Sequence, residues 1–258
     1  MSRWLLVGSC AAICALLPLG GAGSGAAGRG VPASSLLQHA RSGVIRVEAF
    51  GCGRLLSGTG FLVDDHHLAT ADHVVAGADR IVLRQGRRAV AVGTLAGADS
   101  AHDVALIRTD RSIRGHVFSL ASRSPRAREG VAALGFPLGR RLTVARGSVR
   151  GTAHVVGSDG RAGQELIQTD ASVHNGHSGG PLVSLSDGSL LGVVDLAAVG
   201  RNPLSFSVSA RAVAPLLSRW RRDPEAVPQE PCRSGVSYPT LRQPPRLSGG
   251  ASLPPGHM

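Results

Sequence analysis

The octapeptide NGHSGGPL, Asn175 to Leu182, holds a serine hydroxyl between glycines. Glycines allow tight turns, so the hydroxyl can be presented outward while nearby backbone N–H groups converge on one point. Ser178 is therefore a candidate nucleophile for acyl transfer, and the N–H groups of Gly176 and Ser178 are candidate donors to an oxyanion. Each preorganised donor of this kind supplies about 3 kcal/mol of transition-state stabilisation. A serine nucleophile needs a base beside it. LATADHVV places His73 at the end of an apolar strand and the start of a short helical turn, where an oriented imidazole can act as general base. AHDVALIRT places Asp103 directly before another apolar strand, where a carboxylate can accept the imidazole N–H and set its tautomer. Asp72 adjoins His73, but neighbours in an extended segment point to opposite sides, which leaves Asp72 badly placed to orient the ring. Asp99, near Gly97, reads as a turn residue.

The elements around these residues are short strands. GVIRVEAF alternates, GTGFLVDDHHLATADHVV has the form of a hairpin, and RIVLRQGRRAVAVGTLA repeats that form around Gln85-Gly86. DVALIRT, GVAALGF, TVARGSVRGTAHVV, ELIQTDA, GPLVSL, LLGVVDLAAV and SFSVSA continue the series, with turn residues every ten or so positions. That spacing predicts an all-β sandwich or barrel. SRSPRAREG at 122–130 is the joint between two halves. ASSLLQHAR predicts a short helix capped by Ser34 or Ser35. RAVAPLLSRWRR at 211–222 predicts a closing helix with Pro215 in its first turn, where a missing N–H is tolerated.

Of 258 residues, 43% are hydrophobic, 17% charged and 3% aromatic, which excludes a disordered chain and requires a core of Val, Leu, Ile and Ala. The net charge is +11, and all 28 basic residues are Arg. The arginines are scattered without aromatic interleaving, so no nucleic-acid partner is expected. Met1-Ser2-Arg3, the apolar run Trp4–Leu19 and the small residues at 20–30 form a secretory signal, with cleavage between Ala22 and Gly30. No stable membrane span is expected after that cleavage, because the run is shorter than the roughly 20 residues a spanning helix needs. Cys10 and Cys14 fall inside the signal, leaving Cys52 and Cys232 to pair in an oxidising compartment. From Asp223 the chain becomes rich in Pro and Arg and loses periodicity, as a disordered tail does.

The order His73, Asp103, Ser178 is the order found in the chymotrypsin-like fold. Residues 40–220, through GTGFLV, LATADHVV, HDVALIRT, QTDASVHNGHSGGPLV, LLGVVD and FSVSA, resemble the trypsin-like peptidases of bacterial HtrA type. CGRLLSGTGFLV followed by HVVAGAD resembles the actinobacterial acid-resistance periplasmic proteases, the MarP-like group, still more closely. The sequence as it stands leaves no room for the PDZ domain of the first group or the membrane bundle of the second. The resemblance implies two six-stranded antiparallel β-barrels with a short C-terminal helix. The domains are then a signal over 1–30, a protease domain over 31–222 with barrels at about 36–121 and 130–210, and a tail over 223–258. It further implies a secreted or periplasmic serine endopeptidase with protein or peptide substrates, a Ser-His-Asp triad and no cofactor or metal. Its specificity pocket would be walled by Ser172, Val173 and His174 and by Asp195, Leu196 and Ala197. Ser172 occupies the pocket-floor position, which argues against a simple Arg or Lys preference, although Asp195 could add charge. The chain departs from the family at Asp72, where a small residue is usual, and at His177, where Asn or Asp is usual.

Other chemistries fit less well. GHSGG matches the nucleophile elbow of α/β-hydrolases, but that fold needs a histidine after the serine, and only His257 in the tail qualifies. A Ser–Lys dyad is excluded by the lack of Lys, and neither Cys52 nor Cys232 sits in a cysteine-protease motif. DDHH at 64–67 reads as an exposed turn rather than as part of a zinc site of His66, His67 and His73. The alternative from another class is a catalytically inactive, protease-shaped binding protein. Finally, His174 and His177 are of a type that titrates between pH 5 and 8. A charge on His177 would oppose protonation of His73 and extend activity to acidic pH.

Overall fold

Among the described residues, twelve strands close into two barrels. The computed structural model describes residues 32–51, 53–155, 164–198, 204–225 and 227. The signal region, Cys52 and Cys232 lie outside the described residues, as does the tail beyond residue 227. The first barrel contains β1 (Val44–Gly51), β2 (Arg54–Leu62), β3 (His67–Thr70), β4 (Arg80–Gln85), β5 (Arg88–Asp99) and β6 (Val104–Thr109), closed in the order β1-β2-β3-β6-β5-β4. The second contains β7 (Gly130–Gly135), β8 (Thr143–Val155), β9 (Gln164–Thr169), β10 (Pro181–Ser184), β11 (Leu190–Ala198) and β12 (Leu204–Ser209). It repeats the same strand order, and every ladder in both barrels is antiparallel. Closure leaves no open sheet edge, which a chain this rich in Val and Ala would otherwise expose to pairing with other chains.

The scarcity of aromatics shapes the core. The first barrel is filled by aliphatic side chains, among them Ile45, Val47, Leu62, Leu68, Leu83 and Ile107. The second is filled by Val131, Val149, Ile167, Leu182, Leu191 and Val194. The large rings gather between the barrels instead, where Phe61, Phe118, Phe136, Phe206 and Trp220 share one cluster.

The predicted hairpins form as expected, with Gly86 at φ +61 in the β4–β5 turn. The helical details differ. Helix α1 (Ala33–Ala40) starts from Pro32, whose carbonyl accepts from Ser35 and Leu36, and neither Ser34 nor Ser35 caps it. The two serines lie inside the helix because Pro32, locked near φ −60, already supplies the start. Helix α2 (Asp72–Val75) follows β3 at once. In helix α3 (Ala210–Arg222) Pro215 is the sixth residue, past the first turn, so the Arg211 carbonyl lacks its helical partner. The helix holds because Val213, Leu217 and Trp220 are all buried on one face. The Trp220 ring lies on Gly97, where any Cβ would run into it. Past the helix, Glu225 accepts the Trp220 Nε1–H at 3.0 Å and donates its N–H to the Ala96 carbonyl at 2.9 Å. The first residues of the tail are thereby tied to the first barrel.

The joint between the barrels is pinned by one carboxylate. Arg123 donates to both oxygens of Glu129, at 2.9 and 2.6 Å, and the Arg126 N–H and Ser184 hydroxyl donate to the same group. The Arg123 bond, with these further donors, outweighs partial burial and holds the Glu129 carboxyl down to about 2. A carboxyl depressed below its unfolded value stabilises the fold above that value and loses the contribution as pH falls through the folded one. Glu129→Gln is therefore expected to lower the melting temperature at pH 7, with the gap closing between pH 4.5 and 2. Calorimetry of both proteins across that range checks this, and a gap independent of pH would show that the ionised carboxylate contributes nothing.

Candidate active site

His73 is the second residue of α2, reached from β3 through Ala71 in extended backbone. Asp72 and His73 therefore open a helical turn and do not lie in the extended segment assumed from sequence. Their directions still differ, by about 100° around a helix axis. Asp103 stands in the turn before β6 at φ +47, a left-handed conformation in which Asp is among the better-tolerated non-glycine residues. From there its Oδ1 accepts the His73 backbone N–H at 2.9 Å, and its Oδ2 meets His73 Nδ1 at 2.7 Å. A carboxylate can only accept, so Nδ1 carries the proton and Nε2 is left as the basic nitrogen. Burial works against a charge on His73. The Asp103 hydrogen bond and charge, helped by Asp195 and Asp72, outweigh it and raise the imidazole above its ordinary value. Asp99 serves the turn itself, accepting the His102 N–H at 2.8 Å.

Ser178 comes from the second barrel, in the loop between β9 and β10. Gly176 has φ +100, and a Cβ there would strike the Phe136 carbonyl. Gly179 has φ +80 and is backed by the Thr59 carbonyl. Among the described residues, no acceptor takes the N–H of Gly176 or Ser178. The Ser178 hydroxyl donates to the backbone carbonyl of Asp195 at 3.0 Å.

Thr59, on β2 of the first barrel and within the GTGFLV stretch, fastens this loop, a role the sequence reading did not assign it. Its hydroxyl donates to the Gly176 carbonyl at 2.6 Å and accepts the Phe136 N–H at 3.1 Å, while its N–H donates to the Ser178 carbonyl at 2.9 Å. A fully buried threonine thus carries the register of the loop from one barrel to the other.

His177 is buried, at 1% exposure. Its Nδ1 lies 3.1 Å from the His174 carbonyl, and its Nε2 lies 3.0 Å from the Thr143 hydroxyl. Burial pushes its proton affinity down, the His174 carbonyl bond works the other way, and the charge of His174 adds to the lowering. This runs against the expectation of a charged His177, since its surroundings favour the neutral ring. The imidazole serves as a packed bracket under the loop.

The six expected pocket residues are not all alike. Val173 is buried, while Ser172 and His174 are exposed. Leu196 and Ala197 contribute backbone to β11, pairing with Phe206 and Ser205, and their side chains lie outside the described residues. The Asp195 carboxyl lies with His73 and Asp103. Donor atoms of these three residues lie within 4.8 Å of one another, and they are the only such His/Cys/Asp/Glu group among the described residues. His66 and His67 are not part of it. His67 Nδ1 pairs with Asp64 at 2.9 Å within the DDHH turn.

Two closed six-stranded antiparallel barrels, with a His–Asp pair on one and a glycine-flanked serine on the other, are the architecture of chymotrypsin-like proteins. The chain matches the family described as "Trypsin-like peptidase domain" over residues 58–193, more than half its length, and belongs to that family. It is similar to the magnetosome formation protease MamE of Magnetospirillum gryphiswaldense, at 29% identity over 148 residues, covering 57% of this chain and 19% of MamE. It is 28% identical over 186 residues to the serine endoprotease DegS of Salmonella typhimurium, covering 69% of this chain and 50% of DegS. The chain thus spans between 19% and 50% of the length of these two curated relatives. The crystal structure of the Rv3671c protease from M. tuberculosis in its active form superimposes with a TM-score of 0.69 at 25% identity, covering 84% of this chain and 98% of that one.

Proposed function

We propose that this protein is an exported serine endopeptidase that hydrolyses peptide bonds through an acyl-enzyme. Ser178 is the nucleophile, His73 the general base, and Asp103 the carboxylate that orients it. The observation that carries this reading is the two-point hold of Asp103 on His73, at 2.9 and 2.7 Å, which puts the proton on Nδ1 and makes Nε2 the basic nitrogen. For attack, the Ser178 hydroxyl turns from the Asp195 carbonyl to Nε2, gives up its proton, and adds to the substrate carbonyl. The N–H groups of Gly176 and Ser178 receive the developing oxyanion. The imidazolium then protonates the leaving amine, and water, activated by the same nitrogen, hydrolyses the ester. The substrate is a protein or peptide segment lying along β11 at Asp195–Ala197, with its specificity side chain beside Ser172–His174. With Asp195 engaged elsewhere and Val173 buried in the wall, the pocket suits a small uncharged side chain. Export rests on the N-terminal apolar run and the small residues after it.

The test uses protein recovered from the exported fraction of a producing cell. It should begin between Ala22 and Gly30 and should react with a labelled fluorophosphonate at Ser178, because only an activated serine reacts. An unlabelled but folded protein would favour the inactive, protease-shaped binding protein.

A further inference from the structure

We propose that Asp195 is a positioning residue of the catalytic group: as a neutral acid it donates its carboxyl proton to Asp103, and its ionisation disables the site at alkaline pH. The inference rests on the serine endopeptidase reading and adds to it a fourth residue with a titration of its own.

The backbone explains how Asp195 reaches this place. The β11–β12 ladder shifts register between Val194, paired with Ser207, and Leu196, paired with Phe206. Asp195 is the extra residue of that bulge. A bulged residue is released from the ladder and its side chain is re-aimed. The released carbonyl accepts the Ser178 hydroxyl at 3.0 Å. The carboxyl joins the His73–Asp103 pair, within 4.8 Å of both. One bulge therefore touches two members of the triad, the serine through the backbone and the aspartate through the side chain.

Both Asp103 oxygens already accept from His73, one from the backbone N–H and one from Nδ1. A second carboxylate within 4.8 Å cannot also ionise without strong repulsion, so one carboxyl keeps a proton. Asp103 is held as the anion by its two donors, and the proton resides on Asp195, in Asp195 O–H···O⁻ Asp103. Partial burial, then the Asp103 charge, then the hydrogen bond between the two carboxyls push Asp195 up to about 7, with the His73 charge working against them. The titratable groups acting on Asp195 are thus Asp103, from the turn before β6, and His73, from α2, with Asp72 reaching the same imidazole. Across the bulge, β12 offers only Ser207 and Phe206.

The sign of the pH effect follows from this coupling. As His73 loses its proton with rising pH, its attraction for an Asp195 anion disappears, which delays the ionisation of Asp195 further. Between the two events the site holds a neutral base, an Asp103 anion and a neutral Asp195, which is the active arrangement. When Asp195 ionises, its proton passes to solvent, the hydrogen bond is lost, and the two carboxylates repel. Asp103 then no longer holds His73 in line.

The experiment is the kcat/KM profile from pH 5 to 10 on one peptide substrate for wild type, Asp195→Asn and Asp195→Ala. Wild type should give a bell whose alkaline limb falls about tenfold per pH unit. Asp195→Asn keeps an uncharged donor that cannot ionise and should hold its plateau to pH 10. Asp195→Ala should lose kcat at every pH with little change in KM. A second measurement needs no activity: the ¹⁵N shifts of His73 followed through pH in Ser178→Ala and in Ser178→Ala/Asp195→Asn. The first should titrate in two steps and the second in one. Superimposable alkaline limbs for wild type and Asp195→Asn, with a single His73 step in both backgrounds, would overturn the proposal. A wild type that cleaves no peptide at any pH would instead sink the endopeptidase reading, while the His73 titration would still decide where the Asp195 proton lies.

Discussion

Ser178→Ala is expected to lower kcat by about 10⁵–10⁶-fold on a peptide substrate, and His73→Ala by a similar factor. The two losses should not multiply in the double variant, because hydroxyl and imidazole act as one unit in forming the nucleophile. The residual rate should still exceed the uncatalysed one, since the Gly176 and Ser178 N–H groups do not depend on either side chain. Neither change should unfold the protein. Ser178 is half-buried, its hydroxyl makes a single bond to the Asp195 carbonyl, and His73 keeps part of its ring in solvent. Single-turnover and steady-state rates, with melting curves for each variant, read this out. A folded Ser178→Ala protein retaining more than a hundredth of wild-type activity would remove Ser178 from the mechanism.

The second large effect is at Asp103. Asp103→Asn should lower kcat by about 10⁴-fold near neutral pH. The asparagine can keep its place in the turn, but its amide nitrogen points a donor at Nδ1, where the carboxylate offered an acceptor. The imidazole then places its proton on Nε2, the nitrogen that must receive the serine proton. Removing the Asp103 charge also removes the main influence that raises His73, so the remaining activity should appear at lower pH than in wild type. Asp72→Asn is the control. It contributes only the smallest of the influences on His73, behind Asp103 and Asp195, and should change kcat little. Equal losses for the two variants would reverse the assignment of the orienting carboxylate.

These residues show what could be read before the fold. Ser178 was legible because its loop announces itself locally: glycines on both sides meet a backbone demand that other residues cannot, seen as φ +100 at Gly176 and +80 at Gly179. His73 and Asp103 were legible mainly through their order with Ser178. The reason first offered for preferring Asp103 over Asp72, opposite faces of an extended segment, does not apply, because α2 begins at Asp72. Barrel closure decides the pair instead, by setting β3 beside β6 with Thr70 opposite Ala105, so that the segments leaving those strands bring His73 to Asp103.

His177 and Asp195 mark the opposite limit. A histidine next to a nucleophile looks like a titrating loop residue, yet tertiary packing buries it between Thr143, Gly135 and His174 and lowers its proton affinity. An aspartate in LLGVVDLAAV looks like one more strand position on a pocket wall. A shift of a single residue in the β11–β12 register turns it toward Asp103 instead.

Local pattern was enough for the strands, their turns, the all-β class and the glycine-flanked serine loop, because period-two burial and glycine conformations are short-range demands written within a few residues. Folding in three dimensions is what brings Asp103 to His73, ties Thr59 to the Gly176–Ser178 loop across the barrels, and sets Asp195 beside His73 and Asp103. Those relations join groups 30 to 117 residues apart. They depend on closure, register and burial, which no local pattern encodes.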